Sequence, residues 1–194
     1  MEITFNLPHV TNPDSPSVET VDALRALQTC VAKLKQAYLK SHTGTALPRI
    51  CVVYRGAGYF TFILPHVFHV NSSPTDNAFA LRALLDCLIE INSAYLAHFK
   101  TKALYDSGVV YDRTQIWDTI PALYARRYGD CKSLSAALIA QYHQFGIEAN
   151  PTFRFVKNSR GTSDFHILVQ TPDGFEDPSK VLGMGRDENA YFKS

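Results

Sequence analysis

The sequence predicts a mixed α+β fold. Three observations carry that reading: three long stretches with helical apolar spacing, a hairpin signature between the first two, and two β-rich runs closing the pattern after the third. The opening residues, Met1 to Leu7, read as a short strand. A turn-rich linker follows at Thr11 to Ser17, punctuated by Asn12-Pro13-Asp14-Ser15-Pro16, and Ser17 is a suitable helix cap. Residues 18–41 set Val21, Leu24, Leu27, Val31, Leu34 and Tyr38 at three- and four-residue spacing, one face of a helix that Gly44 and Pro48 end. The hairpin comes next: Ile50 to Tyr54, a turn at Arg55-Gly56-Ala57-Gly58, then Tyr59 to Leu64, both arms rich in β-branched and aromatic residues. Its Gly-x-Gly is turn chemistry, because a dinucleotide fingerprint needs a helix directly after it.

A second helix is predicted from about Asp76 to Lys100, then a short apolar strand at Val109-Val110-Tyr111. Thr114 to Arg127 reads as a shorter helical segment leading into Gly129-Asp130-Cys131. The third clear helix runs from Lys132 to Phe145 and stops at Gly146, a good residue for the left-handed position past a helix end. Ala149 to Val156 and Phe165 to Gln170 are the closing strands, joined by the polar turn Lys157-Asn158-Ser159-Arg160-Gly161. Asp173-Gly174 marks a further turn before Phe175-Glu176-Asp177-Pro178.

The first half of the chain repeats itself. Displaced by 57 residues, Ala23-Leu24-Arg25-Ala26-Leu27 falls on Ala80-Leu81-Arg82-Ala83-Leu84, and Cys30 falls on Cys87. Ala37-Tyr38-Leu39 meets Ala94-Tyr95-Leu96, Ala46-Leu47 meets Ala103-Leu104, and Val52-Val53-Tyr54 meets Val109-Val110-Tyr111. Of the 32 positions from 23 to 54, 14 are identical, where average residue usage gives about two. This reads as a duplicated helix–loop–strand unit, with Cys30 and Cys87 as small core residues at equivalent places. Because the repeat (23–54 and 80–111) crosses any boundary, one domain over 1–194 is expected, with 1–106 as an elaboration on a core at 107–194.

Composition excludes several classes. The chain has 194 residues, 46% apolar and 19% charged, enough to bury a core. Nineteen basic against 18 acidic residues give +1, so nucleic acid is not the expected partner. No apolar run reaches the roughly 18 residues of a membrane helix, and Met1 to Leu7 lacks the basic start of a signal peptide. The four cysteines (30, 51, 87 and 131) form no Cys-x-x-Cys clip and no zinc-ligand spacing, which suits free thiols in a reducing, cytoplasmic setting. The histidines other than His166 form no ligand set. His66 and His69 could share a face, but no carboxylate completes a site. No metal or organic cofactor is implied.

One of the thiols has the surroundings of a nucleophile. Asp130 caps a helix whose apolar pattern, Leu134, Leu138, Tyr142 and Phe145, starts at once, so Cys131 lies in its first turn, where backbone N–H groups and the helix dipole favour a thiolate. His166 follows 35 residues later in the alternating strand Asp164 to Val169, and Asp177 comes 11 residues after that. Adjacent antiparallel strands on either side of the Asp173-Gly174 turn bring His166 and Asp177 side by side. A base then takes the thiol proton while a carboxylate fixes its tautomer. Asp164 and Asp173 are rivals for that carboxylate. Arg126-Arg127 and Lys132 make a small basic spot that is either solvated surface or a site for acidic substrate groups.

Gly129-Asp130-Cys131-Lys132-Ser133-Leu134-Ser135, the histidine strand and Phe175-Glu176-Asp177-Pro178-Ser179 resemble the transglutaminase-like superfamily of papain-type cysteine enzymes, and in particular its bacterial and phage members. The resemblance covers about residues 107–183; residues 1–100 have no counterpart. It implies a papain-related α+β core, a nucleophile helix packed on an antiparallel sheet, with Cys131, His166 and Asp177 in catalytic roles. Two positions depart from the family: Ile167 stands where an aromatic residue often follows the histidine, and Lys132 where an acidic or apolar residue commonly follows the cysteine. An acyl transfer also needs oxyanion donors. The Cys131 N–H is one, and Gln115 and Trp117 are the side-chain candidates, although Trp117, the sole tryptophan, also reads as a core anchor. The expected activity is peptidase, amidase or transglutaminase chemistry on a protein or peptide substrate through a thioester at Cys131. The alternative is a non-catalytic structural or interaction module in a larger assembly, virion-associated if phage-encoded.

Overall fold

The computed structural model describes residues 2–15, 17–41, 49–64, 74–157 and 163–185. The expected stop at Gly44 and Pro48, the Ala46-Leu47 part of the repeat, the His66–His69 pair and most of the 157–161 turn lie outside the described residues. The fold is mixed α+β, with five α-helices and three sheets among the described residues. None of those helices is long and apolar enough to cross a membrane.

The first sheet has four strands. β1 (Glu2–Asn6) pairs antiparallel with β3 (Tyr59–Ile63), which pairs antiparallel with β2 (Cys51–Gly56). Gly56, Ala57 and Gly58 all have positive φ in the tight turn of this hairpin. Gly58 is obligatory, because a Cβ there would stand 2.3 Å from the Leu7 carbonyl oxygen. The fourth strand, β5 (Trp117–Asp118), runs parallel to β1 through Phe5↔Trp117 and Asn6↔Asp118. This pairing ties residues 1–106 to the C-terminal part of the chain. Phe5 lies between Phe62 and Trp117, with ring centroids 5.1 and 5.3 Å away, in one core cluster of side chains from Ile3 to Val169.

α1 (Val18–Ser41) starts at Ser17, whose Oγ accepts from the Thr20 N–H at 3.3 Å. It packs against α2 (Pro74–His98) in the opposite direction, since Asp22 at the start of α1 lies 3.7 Å from His98 at the end of α2. The contact is reciprocal between repeat-equivalent residues. Cys30 donates to the Ala83 carbonyl and Cys87 to the Ala26 carbonyl, both at 3.5 Å, and Lys33 pairs with Glu90 at 2.8 Å. The strand halves of the repeat differ: β2 sits in the four-stranded sheet, whereas β4 (Val110–Tyr111) pairs parallel with β6 (Tyr128–Gly129).

Residues 114–127 depart from the helix expected there. The chain is irregular from 112 to 116, becomes β5, and is helical only in α3 (Ile120–Arg126). Pairing with β1, more than a hundred residues away, captures Trp117, and Pro121 at the first turn fixes where the helix starts. α4 (Cys131–Gln144) ends as expected at Gly146 (φ 72°), where Gly146 N–H donates to His143 O and Ile147 N–H to Tyr142 O, both at 3.0 Å. α4 packs on the third sheet, β7 (Asn150–Lys157), β8 (Ser163–Thr171) and β9 (Gly174–Glu176), with Ser135 Oγ donating to the Ile167 carbonyl at 3.2 Å. A four-residue helix, α5 (Pro178–Val181), follows β9.

Candidate active site

Cys131 is the first residue of α4, and Asp130 precedes it in extended conformation as the cap residue. The Asp130 side chain does not cap the helix. It pairs with Lys132, whose Nζ also donates to the Thr114 carbonyl at 2.6 Å and lies 5.9 Å over the Trp117 ring. Gly129 is required by packing: a Cβ there would be 2.5 Å from Cδ1 of the fully buried Leu123. Burial, and secondarily the Asp130 carboxylate, push the Cys131 thiol up to about 12, while Lys132 and the Ile167 N–H pull the other way. The thiol is therefore neutral at rest. Asp130 is itself raised by burial, with the Lys132 ammonium opposing.

His166 stands on β8, buried, opposite Arg154 of β7. Its Nε2 lies 2.9 Å from Asp177 Oδ2. Strand pairing alone does not produce this contact: the β8–β9 ladder ends at Val169↔Glu176, and continued, it would set Asp177 opposite Leu168. The chain instead bends out of β9 into α5. Asp177 becomes the cap of that helix, with Oδ1 accepting from the Lys180 N–H at 3.2 Å and Oδ2 turned to the imidazole. Of the two rival carboxylates, Asp173 is in the exposed β8–β9 turn, and the Asp164 side chain lies outside the described residues.

Cys131 and His166 line one cleft of about 610 Å³. Gln115 and Trp117 line it as well, and β1 supplies a wall through Glu2, Ile3 and Thr4. Trp117 is 5% exposed and stacked on Phe5, so it is a core residue with an edge on the cleft. No family model, curated protein or solved structure matches the chain.

Two networks beside the cleft were not legible as such in the sequence. Asp118 is fully buried beneath the start of α4. Arg126 Nε lies 3.1 Å from its Oδ2, Asn6 Nδ2 donates to its Oδ1 at 3.3 Å, and its own N–H donates to Ser133 Oγ at 3.0 Å. Burial raises the Asp118 carboxyl, and the Arg126 guanidinium opposes that. Two of the three residues of the basic spot are committed to carboxylates, Arg126 to Asp118 and Lys132 to Asp130, while Arg127 is exposed. The second network surrounds Glu176, which accepts from Tyr105 and Tyr142 hydroxyls, each at 2.5 Å, and so anchors the residue before Asp177. A carboxylate directly preceding Asp177-Pro178 was the only hint of it.

Proposed function

We propose that this chain is a cysteine-dependent acyl-transfer enzyme with a transglutaminase-like, papain-type core, acting on a peptide or side-chain amide. The observation that carries the reading is the 2.9 Å His166–Asp177 contact, with His166 and Cys131 lining one cleft. In this reading Asp177 holds the imidazole through Nε2, and the imidazole takes the thiol proton as Sγ adds to the carbonyl carbon. The Cys131 N–H, at the start of α4, and a donor from Gln115 or Trp117 receive the oxyanion. The C–N bond then breaks, the imidazolium returns the proton to the departing amine, and a thioester remains on Cys131. Water adds to it and releases an acid, or an amine adds and gives a new amide. Either outcome regenerates the thiol. Because the resting thiol is neutral, proton transfer to His166 accompanies attack.

A second reading, a non-catalytic module on the same fold, draws on one observation: the thiol is held in its un-nucleophilic form, pushed up to about 12. An acyl-trapping experiment separates the two. Incubation with p-nitrophenyl acetate followed by intact and peptide mass spectrometry gives an acetyl group on Cys131 for an enzyme, lost in Cys131→Ala. A module gives no adduct at that residue.

A further inference from the structure

The open half of β1 borders the cleft. Leu7 N–H donates to the Gly58 carbonyl at 2.8 Å, and the register continues as Phe5↔Phe60 and Ile3↔Phe62. The backbone groups of residues 3, 5 and 7 therefore point at β3, and those of Glu2, Thr4 and Asn6 point to the opposite edge. Along that edge β5 pairs only with Phe5 and Asn6, and Thr119 N–H closes the ladder on the Asn6 carbonyl at 3.2 Å. With Phe5 turned to β3, its parallel bridge to Trp117 runs through Trp117 N–H on the Thr4 carbonyl and Asn6 N–H on the Trp117 carbonyl, so among the described strands the Thr4 N–H and the Glu2 carbonyl are left without a strand partner on this side.

The gap is held open by design of the neighbouring chain. Segment 112–116 would continue β5 alongside β1, but it is tied elsewhere. Lys132 takes the Thr114 carbonyl at 2.6 Å, Asp112 N–H donates to Gly129 O at 2.9 Å, and Ile116 N–H turns back to Thr114 Oγ1 at 3.1 Å. Glu2, Ile3 and Thr4 line the same cleft as Cys131 and His166. An unpaired strand edge is a template for an extended chain. The cleft, about 610 Å³, lies within the roughly 300–1,000 Å³ of sites that enclose a drug-sized ligand, room for one or two side chains of a bound segment. Ile3, Leu81, Phe153 and Phe165 give it apolar walls.

We propose that the substrate is an extended polypeptide segment with apolar side chains, which pairs with the open Thr4 N–H and Glu2 carbonyl of β1 and so carries its amide to Cys131. This rests on the acyl-transfer reading of Cys131 and His166. It excludes a small-molecule amide as the intended substrate, because such a molecule has no backbone to pair with β1.

The test uses peptidyl vinyl sulfones, acetyl-(Ala)n-Phe with n from 0 to 3, together with iodoacetamide as a probe without a peptide backbone. The second-order rate of Cys131 modification is read by mass spectrometry on the wild-type protein and on His166→Ala. The expected result is His166-dependent labelling whose rate rises with n. N-methylation of the one probe amide that pairs with β1 lowers the rate about 2- to 12-fold, the equivalent of one net hydrogen bond. In Thr4→Pro, which removes the cleft-facing N–H, the ratio of the longest to the shortest probe falls toward one. Should that variant fail to fold, the N-methyl series on the unaltered protein decides. Labelling that depends on His166 but is indifferent to length and N-methylation overturns this proposal and leaves the nucleophile in place. Labelling equal in His166→Ala, or absent with every probe, overturns both.

Discussion

Asp177 serves two partners with its two oxygens, and two substitutions tell them apart. Oδ2 meets His166 Nε2 at 2.9 Å, with the side chains only 4% (His166) and 15% (Asp177) exposed, while Oδ1 caps α5 through Lys180 N–H at 3.2 Å. Asparagine preserves a cap but offers the imidazolium no negative charge; alanine loses both. A hydrogen bond to a charged partner is worth about 1.5–3 kcal/mol in so buried a place. At 1.36 kcal/mol per decade, Cys131 acylation by p-nitrophenyl acetate falls roughly 10- to 150-fold in Asp177→Asn and at least as far in Asp177→Ala. Stability divides differently. The asparagine variant stays within about 0.5 kcal/mol of wild type, whereas the alanine variant loses about 1 kcal/mol, or about 2–4 °C in Tm for a chain of this size. The assay is the burst of p-nitrophenolate beside a thermal melt. Acylation at the wild-type rate in Asp177→Asn refutes the reasoning, since Asp177 would then be a helix cap and nothing more.

Two further predictions follow from buried groups. The folded thiol of Cys131 is raised to about 12 against about 8.5 for an unfolded thiol, so its neutral form contributes stability that is fully present below about pH 8.5 and lost as pH rises toward 12. The unfolding free energy of wild type, relative to Cys131→Ala, therefore declines by about 1.4 kcal/mol per pH unit between roughly pH 9.5 and 11.5; urea melts showing a constant difference contradict a raised thiol. Arg126→Met strands the Asp118 carboxylate and costs about 3–5 kcal/mol, seen as a Tm about 6–20 °C lower, and adding Asp118→Asn recovers more than half of the loss. An unchanged Tm in Arg126→Met shows that the pair carries no weight.

Local signals were legible where local physics decides. The three-and-four spacing from Val21 to Leu34 marked α1, the Gly56–Gly58 turn marked the hairpin, and Gly146 marked the end of α4. The apolar residues Ile116, Trp117, Ile120 and Leu123 are spaced like a helix face, yet Trp117 belongs to a strand because Phe5, far away in sequence, pairs with it. No window around Trp117 contains that information. Nothing local marked the buried Asp118–Arg126 pair for the same reason: the other partners of Asp118, Asn6 and Ser133, come from distant parts of the chain. Cys131 and His166 could be named from spacing, and the cleft contains both. The route by which Asp177 reaches His166, out of the ladder and through a helix cap, is set by the bend between β9 and α5, which the strand alternation does not encode.

The central claim is that His166 delivers the reactivity of Cys131, and the most direct measurement is the rate of acetyl transfer from p-nitrophenyl acetate to each cysteine in wild type and in His166→Ala. Half-buried Cys51 is the internal control, and Cys30 and Cys87 are buried. The account predicts an adduct on Cys131 ahead of Cys51, formed about 100-fold or more slowly without the imidazole, in line with general-base assistance. An adduct that favours Cys51, or a Cys131 rate that His166→Ala leaves unchanged, contradicts it.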